Sequence, residues 1–252
     1  MLAGWRERGL ARSVVVDPAP GTALLAGPDL TVVSSPQDIP SDFAPQALVL
    51  AVKPQNATDT LPHYRRFVHG GGGVFLSIMA GRTIAGMRAL LGPDAMLVRA
   101  MPNTPAAIRQ GVTVACPGGG VTDAGRSLCD RLLQAIGAVA WVEDEGLLDP
   151  VTAVSGSGPA YVFLLAELME QAAAEQGIPP ALARLLARQT VAGSGALLGA
   201  SPEESAALRA AVTSPGGTTE RALAVLMEPS AWPSAVSRAV AAATRRSREL
   251  AG

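Results

Sequence analysis

The stretch AVAWVEDEGLLDPVTAVSGSGPAYVFLLAELME, residues 138–170, decides the fold. Its first five residues, Ala138 to Val142, form a short β-branched and aromatic run of strand type. From about Leu147 the strand signal stops. Tyr161, Leu164, Leu165, Leu168 and Met169 then recur at helical spacing with alanine all around them. The chain changes character here, and each side has its own period.

Upstream, short apolar runs alternate with helical stretches and Gly/Pro punctuation, the pattern of a parallel α/β sheet. Strands are predicted at Ser13 to Val16, Leu30 to Val33, Ala47 to Val52, Gly73 to Ile78, Ala95 to Arg99, Val112 to Ala115 and Ala138 to Val142. Downstream, helices are predicted near Pro159 to Gln176, Pro180 to Leu198, Glu203 to Ala211, Thr218 to Glu228 and Pro233 to Leu250. The expected organisation is therefore an α/β Rossmann-like domain over 1–145 and an all-α domain over 146–252. A helix that is apolar on most faces needs cover, and obligate homodimer interfaces resemble cores cut in half, so the second domain is expected to dimerise.

Composition excludes several classes of function. At 48% hydrophobic, 16% charged and a net charge of −1, the 252-residue chain has ample core and no basic stripe for nucleic acid or an anionic membrane. No run of about 18 apolar residues marks a membrane span, and the N-terminus lacks a signal-peptide pattern. Cys116 and Cys129 lack metal-ligand spacing, and His63 and His69 fall in a polar, loop-like stretch. Neither a metal site nor a disulfide framework is expected, and the cytoplasm is the expected compartment.

Residues 212–219, Val-Thr-Ser-Pro-Gly-Gly-Thr-Thr, place a hydroxyl-rich glycine turn at the mouth of a predicted helix. Gly216 and Gly217 let backbone approach a ligand, and the free N–H groups and dipole of a helix start favour an anion. Ser214, Thr218 and Thr219 add hydroxyls; helix capping is the plain alternative for such residues. Lys53, the one lysine in the chain, ends the apolar strand at Ala47 to Val52, and Asn103 follows the strand at Ala95 to Arg99. Ligands of open parallel sheets bind outside strand C-termini, so both belong to one expected crevice.

A dinucleotide fold opens with a strand and a Gly-x-Gly-x-x-Gly turn into its first helix. This chain instead starts Met-Leu-Ala-Gly-Trp-Arg-Glu-Arg-Gly-Leu, the end of a helix, and enters a strand that closes at Asp17. Asp17 thus stands where the second Rossmann strand carries its ribose-binding acid, so the first strand and phosphate loop are expected to be missing, through a start assigned too far downstream. Poor NAD(P)H binding and little turnover are the corresponding expectation for residues 1–252 alone. Gly70 to Gly73 precedes a strand, and Gly118 to Gly120 leads to a helix capped by Thr122 and Asp123; both are plain turns. Gly156-Ser157-Gly158 is read as a helix start with close packing.

Ala-Val-Lys-Pro at 51–54, Met-Pro-Asn-Thr-Pro at 101–105, Ser-Gly-Ser-Gly-Pro-Ala-Tyr at 155–161 and Thr-Ser-Pro-Gly-Gly-Thr-Thr at 213–219 together resemble the pyrroline-5-carboxylate reductase family. Their order, spacing and the domain change agree over essentially the whole chain. The resemblance implies hydride transfer from NADPH or NADH to the C=N bond of 1-pyrroline-5-carboxylate, giving L-proline, in a homodimer or a ring of dimers. It implies that Ser214, Gly216 and Gly217 hold the substrate carboxylate and that Thr218 and Thr219 face it and the ring nitrogen. Thr219 is then the catalytic candidate and Glu145 a further substrate contact. On the cofactor side it implies Ala51, Val52, Lys53 and Pro54 together with Ile78, Met79 and Ala80, beside Asn103 and Asp17.

The sequence departs from the family pattern at Ala211, where relatives often carry a polar residue, at Asp17, where relatives preferring NADPH have a small or basic one, and at its N-terminus. Asp17 implies tolerance of NADH. A β-hydroxyacid dehydrogenase needs a lysine in its second domain, and this one has none. The other class of reading is a truncated, non-catalytic dimerising paralogue.

Overall fold

The computed structural model describes residues 1–69 and 73–251. It divides into two units, Met1–Gly156 with Thr244–Gly252, and Ser157–Ala243. Of the predicted glycine turn at Gly70 to Gly73, residues 70–72 lie outside the described residues.

The first unit opens with α1 (Leu2–Glu7) and a small parallel sheet of β1 (Ser13–Val16) and β2 (Leu30–Val33). Five strands follow in sequence order: β3 (Ala47–Leu50), β4 (Val74–Ser77), β5 (Leu97–Met101), β6 (Gly111–Pro117) and β7 (Gly137–Trp141). β1 and β2 pair only with each other among the described residues. Even so, Val14, Val16 and Val33 pack against the same core as β3.

The alternation of β4 shows how the layers form. Phe75 joins a cluster with Leu48, Leu50, Leu97 and, from α4 (Ile84–Leu91), Ile84, Met87 and Leu91. Val74 and Leu76 point the other way, to Cys129 and Leu133 of α5 (Asp123–Gln134). Helices thus cover both faces, as a buried sheet requires. Thr83 and Thr122 cap α4 and α5, accepting from the N–H of Gly86 and Gly125 at 3.1 Å, and a cap of this kind is worth about 1 kcal/mol.

The expectation of a wholly parallel sheet fails at one ladder. β3, β4 and β5 are parallel, β6 runs antiparallel to β5, and β7 is parallel to β6. A parallel partner needs a crossover of about a dozen residues or more. Between Met101 and Gly111 there is only a short 3-10 turn, Thr104–Ile108, closed by Arg109 in the left-handed region at φ 64°. The chain turns back instead. At that same end of β6, Gly137 sits opposite Gly111 with φ 143°, and a Cβ there would fall 1.9 Å from the Gly111 oxygen, so no larger residue fits that pairing.

The stretch read as a polar loop around His63 also differs. It folds into the one-turn helices α2 (Ala57–Thr60) and α3 (Arg66–His69), joined by a 3-10 turn. Ala57, Leu61 and Phe67 enter the core, which is what anchors turns too short to persist alone.

Past β7, α6 (Leu148–Val151) runs into a π turn, Thr152–Gly156, and then α7 (Gly158–Glu175). Helix therefore begins before the Gly156-Ser157-Gly158 run predicted to start it. The hydroxyls of Thr152 and Ser155 donate to the carbonyls of Leu148 and Val151, side-chain bonds that accompany the widened turn. The close packing expected at Gly156 is present: a Cβ there would meet Met101 Cε at 2.8 Å.

The second unit holds α7, α8 (Pro180–Ala200), α9 (Ser205–Ala211), α10 (Thr218–Leu226) and most of α11 (Trp232–Ala251), whose residues from Thr244 on group with the first unit. α7 and α8 form a hairpin through Gly177 at φ 82°, whose N–H donates to the Ala174 carbonyl. Within this unit only Ala183 and Ala187 are buried among the hydrophobic residues, while Phe163 is 67% exposed and Leu164 and Leu168 are 51% exposed. Glu145–Glu175 is long and apolar enough to cross a membrane by length and composition alone.

Candidate active site

At 212–219 the turn closes with the N–H of Gly217 donating to the Ser214 carbonyl at 3.0 Å. Pro215 and Gly216 occupy its centre, and Gly216 takes φ 73°, which is what a Pro-Gly type II turn demands. Gly217 is the N-cap of α10 and the helix has no side-chain cap. Simple capping therefore does not explain the hydroxyls. Those of Ser214, Thr218 and Thr219 have no hydrogen-bond partner among the described residues, and the N–H groups of Thr218 and Thr219 are first-turn donors without helical acceptors.

Two expected donors are otherwise engaged. The Gly217 N–H is used inside the turn, and the Gly216 N–H donates to Glu220 Oε2 at 2.8 Å. A carboxylate thus already sits on the nest, from a side chain the sequence reading passed over. The signal was present in outline, since an acid three residues past an N-cap commonly reaches back to the helix entrance. Ala211 ends α9 and is exposed.

The residues expected on the cofactor side lie along one edge of the sheet. β3, β4 and β5 are parallel, so the segments after them, Ala51 to Pro54, Ile78 to Ala80 and Pro102-Asn103, leave from adjacent C-terminal ends. The Ile78 N–H donates to the Leu50 carbonyl at 3.1 Å, and Arg82 Nε donates to the Pro54 carbonyl at 2.9 Å, tying the first two segments together. Lys53 and Ala51 are exposed, and Val52 packs against the core. Met79 is 2% exposed, so its side chain belongs to the core and only its backbone is available at the edge. Asn103 Oδ1 accepts from the Val112 N–H at 3.0 Å, which leaves its Nδ2 group as the donor facing outward from that bond.

Asp17 closes β1 in the separate two-stranded sheet, where its Oδ1 accepts from the Ala19 N–H at 2.9 Å. The other oxygen keeps acceptor capacity. The acceptor at Asp17 and the loops after β3, β4 and β5 fit the ribose and nicotinamide part of a dinucleotide.

Glu145, implied by the resemblance as a substrate contact, is held between β5 and α4. Its Oε1 accepts from Arg99 Nη1 at 2.9 Å and from the Ile84 N–H at 2.8 Å. Arg99 is 5% exposed, within β5, where the sequence pattern marks only a strand end. An arginine between the buried Val98 and Ala100 was the available signal. Opposite it in register, the Cys116 thiol is pushed up by burial and then by the charges of Glu145, Glu143 and Asp144, against the pull of Arg99. Burial pushes Cys129 up to about 12. Both cysteines are free and buried, one in each core cluster, and neither has thiolate character at neutral pH.

An α/β unit whose loops leave adjacent C-terminal ends of parallel strands, followed by a helical unit, is the build of a two-domain, dinucleotide-dependent oxidoreductase. The chain belongs to the pyrroline-5-carboxylate reductase family. Residues 145–250 match the family described as pyrroline-5-carboxylate reductase dimerisation. The chain is 36% identical over 255 residues to the pyrroline-5-carboxylate reductase of Pseudomonas aeruginosa, covering 100% of this chain and 92% of that protein. Among solved structures, the pyrroline-5-carboxylate reductase of Coxiella burnetii superposes with a TM-score of 0.92 at 29% identity, covering 100% of this chain and 93% of that one. The Plasmodium falciparum pyrroline carboxylate reductase, solved with NADP bound, superposes with a TM-score of 0.80 at 26% identity, covering 99% and 93%.

Proposed function

We infer that this protein reduces the C=N bond of 1-pyrroline-5-carboxylate with NADPH or NADH and releases L-proline. The observation that carries this reading is the turn at α10: its helix is capped by Gly217 and not by a side chain, while the hydroxyls of Ser214, Thr218 and Thr219 remain uncommitted. A substrate with a carboxylate beside a ring imine needs that combination of anion nest and hydroxyl. The family membership given above supports the same reading.

The bound dinucleotide supplies a hydride from its dihydronicotinamide ring. At the protein, Ser214, Gly216 and Thr218 hold the carboxylate, Gly217 closes the turn that presents them, and Thr219 orients the ring nitrogen. A threonine hydroxyl is too weak an acid to protonate an imine outright, so it positions an iminium already protonated or relays a proton from water. Delivery of that hydride to the iminium carbon would send the C=N π pair to nitrogen and give the secondary amine of proline. Lys53, Asn103 and the Ile78 to Ala80 backbone orient the nicotinamide end, and rate then depends on alignment of the two partners. The working unit in this reading is a homodimer or ring of dimers in the cytoplasm, with the dinucleotide part over 1–145 and the helical part over 146–252.

The test is oxidation of NADH and NADPH followed by absorbance, with and without 1-pyrroline-5-carboxylate. Substrate-dependent oxidation is expected of the full-length protein, and in it Thr219→Val should lower kcat by about 100-fold with a smaller change in KM for the dinucleotide. Loss confined to KM would remove Thr219 from the reacting centre. Asp17 bears on the choice of dinucleotide: a carboxylate there accepts from a 2′-hydroxyl and repels a 2′-phosphate. NADH should give a kcat/KM at least comparable to NADPH; a large NADPH preference would overturn that assignment.

A further inference from the structure

We propose that Arg99 and Glu145 are positioning residues that set the register of the three cofactor-side loops, an inference that rests on the reductase reading above. Glu145 Oε1 is shared by two donors, Arg99 Nη1 at 2.9 Å and the Ile84 N–H at 2.8 Å. Ile84 is the first residue of α4, so the carboxylate satisfies a donor that helix geometry leaves open, at the end where the helix dipole favours negative charge.

Each partner leads to a cofactor loop. α4 is entered directly from the loop that begins at Ile78 to Ala80, and within that loop Arg82 Nε holds the Pro54 carbonyl of the Lys53 segment. Arg99 lies on β5 just before Met101-Pro102-Asn103, and Asn103 in turn holds the Val112 N–H. One carboxylate oxygen therefore joins the exit of β5, the entry of α4 and, through Arg82, the loop after β3. Glu145 is also where the chain leaves the last strand for the helical part, beginning a 3-10 turn at Glu145–Leu147.

The environment argues against a role in stability alone. By strand alternation Arg99 points to the face of Leu97, and the thiol-bearing Cys116 is its register partner; both neighbours are core residues, at 0% and 1% exposure. A guanidinium there sits in apolar surroundings, where a pair of well-packed apolar side chains usually stabilises as well or better. What the apolar pair does not provide is two directed bonds from one oxygen to two separate loops.

The experiment compares wild type, R99K and the double variant R99M/E145L. Three quantities are measured: Tm, amide exchange at Ile78 and Val112, and the KM values with kcat. Those two amides bond to Leu50 and Asn103 and not to the pair itself, so they report loop register. The double variant should keep a Tm close to wild type while both amides exchange about tenfold faster. Its KM for NADH should rise about tenfold with KM for 1-pyrroline-5-carboxylate changed less than about twofold, and R99K should recover most of the loss. Wild-type exchange and KM in the double variant would overturn the proposal. So would faster exchange spread equally through β1 and β2, which would mark a general loss of stability. If the full-length wild-type protein shows no substrate-dependent NADH oxidation, the reductase reading fails, and the exchange comparison still decides whether the pair sets the loops.

Discussion

At the mouth of α10, the Gly216 N–H that a substrate carboxylate would use is held by Glu220 Oε2 at 2.8 Å. Substrate binding in the proposed manner has to displace that carboxylate or accept its repulsion at short range. Both groups are exposed, which limits the effect to about 0.5–1 kcal/mol. Glu220→Gln keeps the length and an acceptor oxygen but removes the charge. KM for 1-pyrroline-5-carboxylate should fall by about two- to fivefold with kcat unchanged, while helix stability declines by a few tenths of a kcal/mol through the lost acid near the helix start. Steady-state kinetics on the variant decide it; a KM that stays the same or rises would mean that Glu220 leaves the nest without cost or itself contacts the substrate.

The elements were legible to different degrees, for physical reasons that can be named. Helices α7 to α11 stand within a few residues of their predicted limits, because Pro180, Gly177 and the alanine-rich periodic runs are local signals. β1 and β2 likewise match, since three or four β-branched or apolar residues in a row leave little choice. β5 came two residues late, because the bend at Gly92, whose carbonyl accepts from the Ala95 N–H, delays the ladder. The reversal at β6 had no local signal: strand direction is set by the length of the connection, not by the residues of the strand. At the site, the turn around Gly216 was readable from Pro-Gly-Gly, and the edge positions of Lys53 and Asn103 from strand ends. The Arg99–Glu145 pair was not, because a contact between residues so far apart in sequence leaves no spacing to recognise.

At the scale of the molecule, the helical unit poses a burial problem that one chain does not solve. Its hydrophobic residues are nearly all accessible, with Val162, Phe163, Leu164 and Leu168 of α7 and Leu182, Leu185 and Leu186 of α8 at 45% exposure or more. Scattered exposed leucines are ordinary, but a contiguous apolar surface on two neighbouring helices marks an interface. Between these helices runs a groove of about 530 Å³, lined by Phe163, Glu167, Arg184 and Arg188 among others. The family match over residues 145–250 concerns dimerisation, so a second copy is the cover we propose for this surface. Fully burying each such side chain contributes about 1.5–3 kcal/mol, so the fold of this unit and its association should be inseparable. Wild-type protein should sediment as a dimer or a multiple of dimers, with a Tm that falls on dilution. Phe163→Glu should sediment as a monomer, because the substitution removes about 1.5–3 kcal/mol of apolar burial per subunit and adds a charge that association must desolvate. Its Tm should lie about 10 °C lower and no longer depend on concentration. A wild-type monomer at micromolar concentration with a Tm indifferent to dilution would refute the interface, and a Phe163→Glu dimer of unchanged Tm would move it off α7.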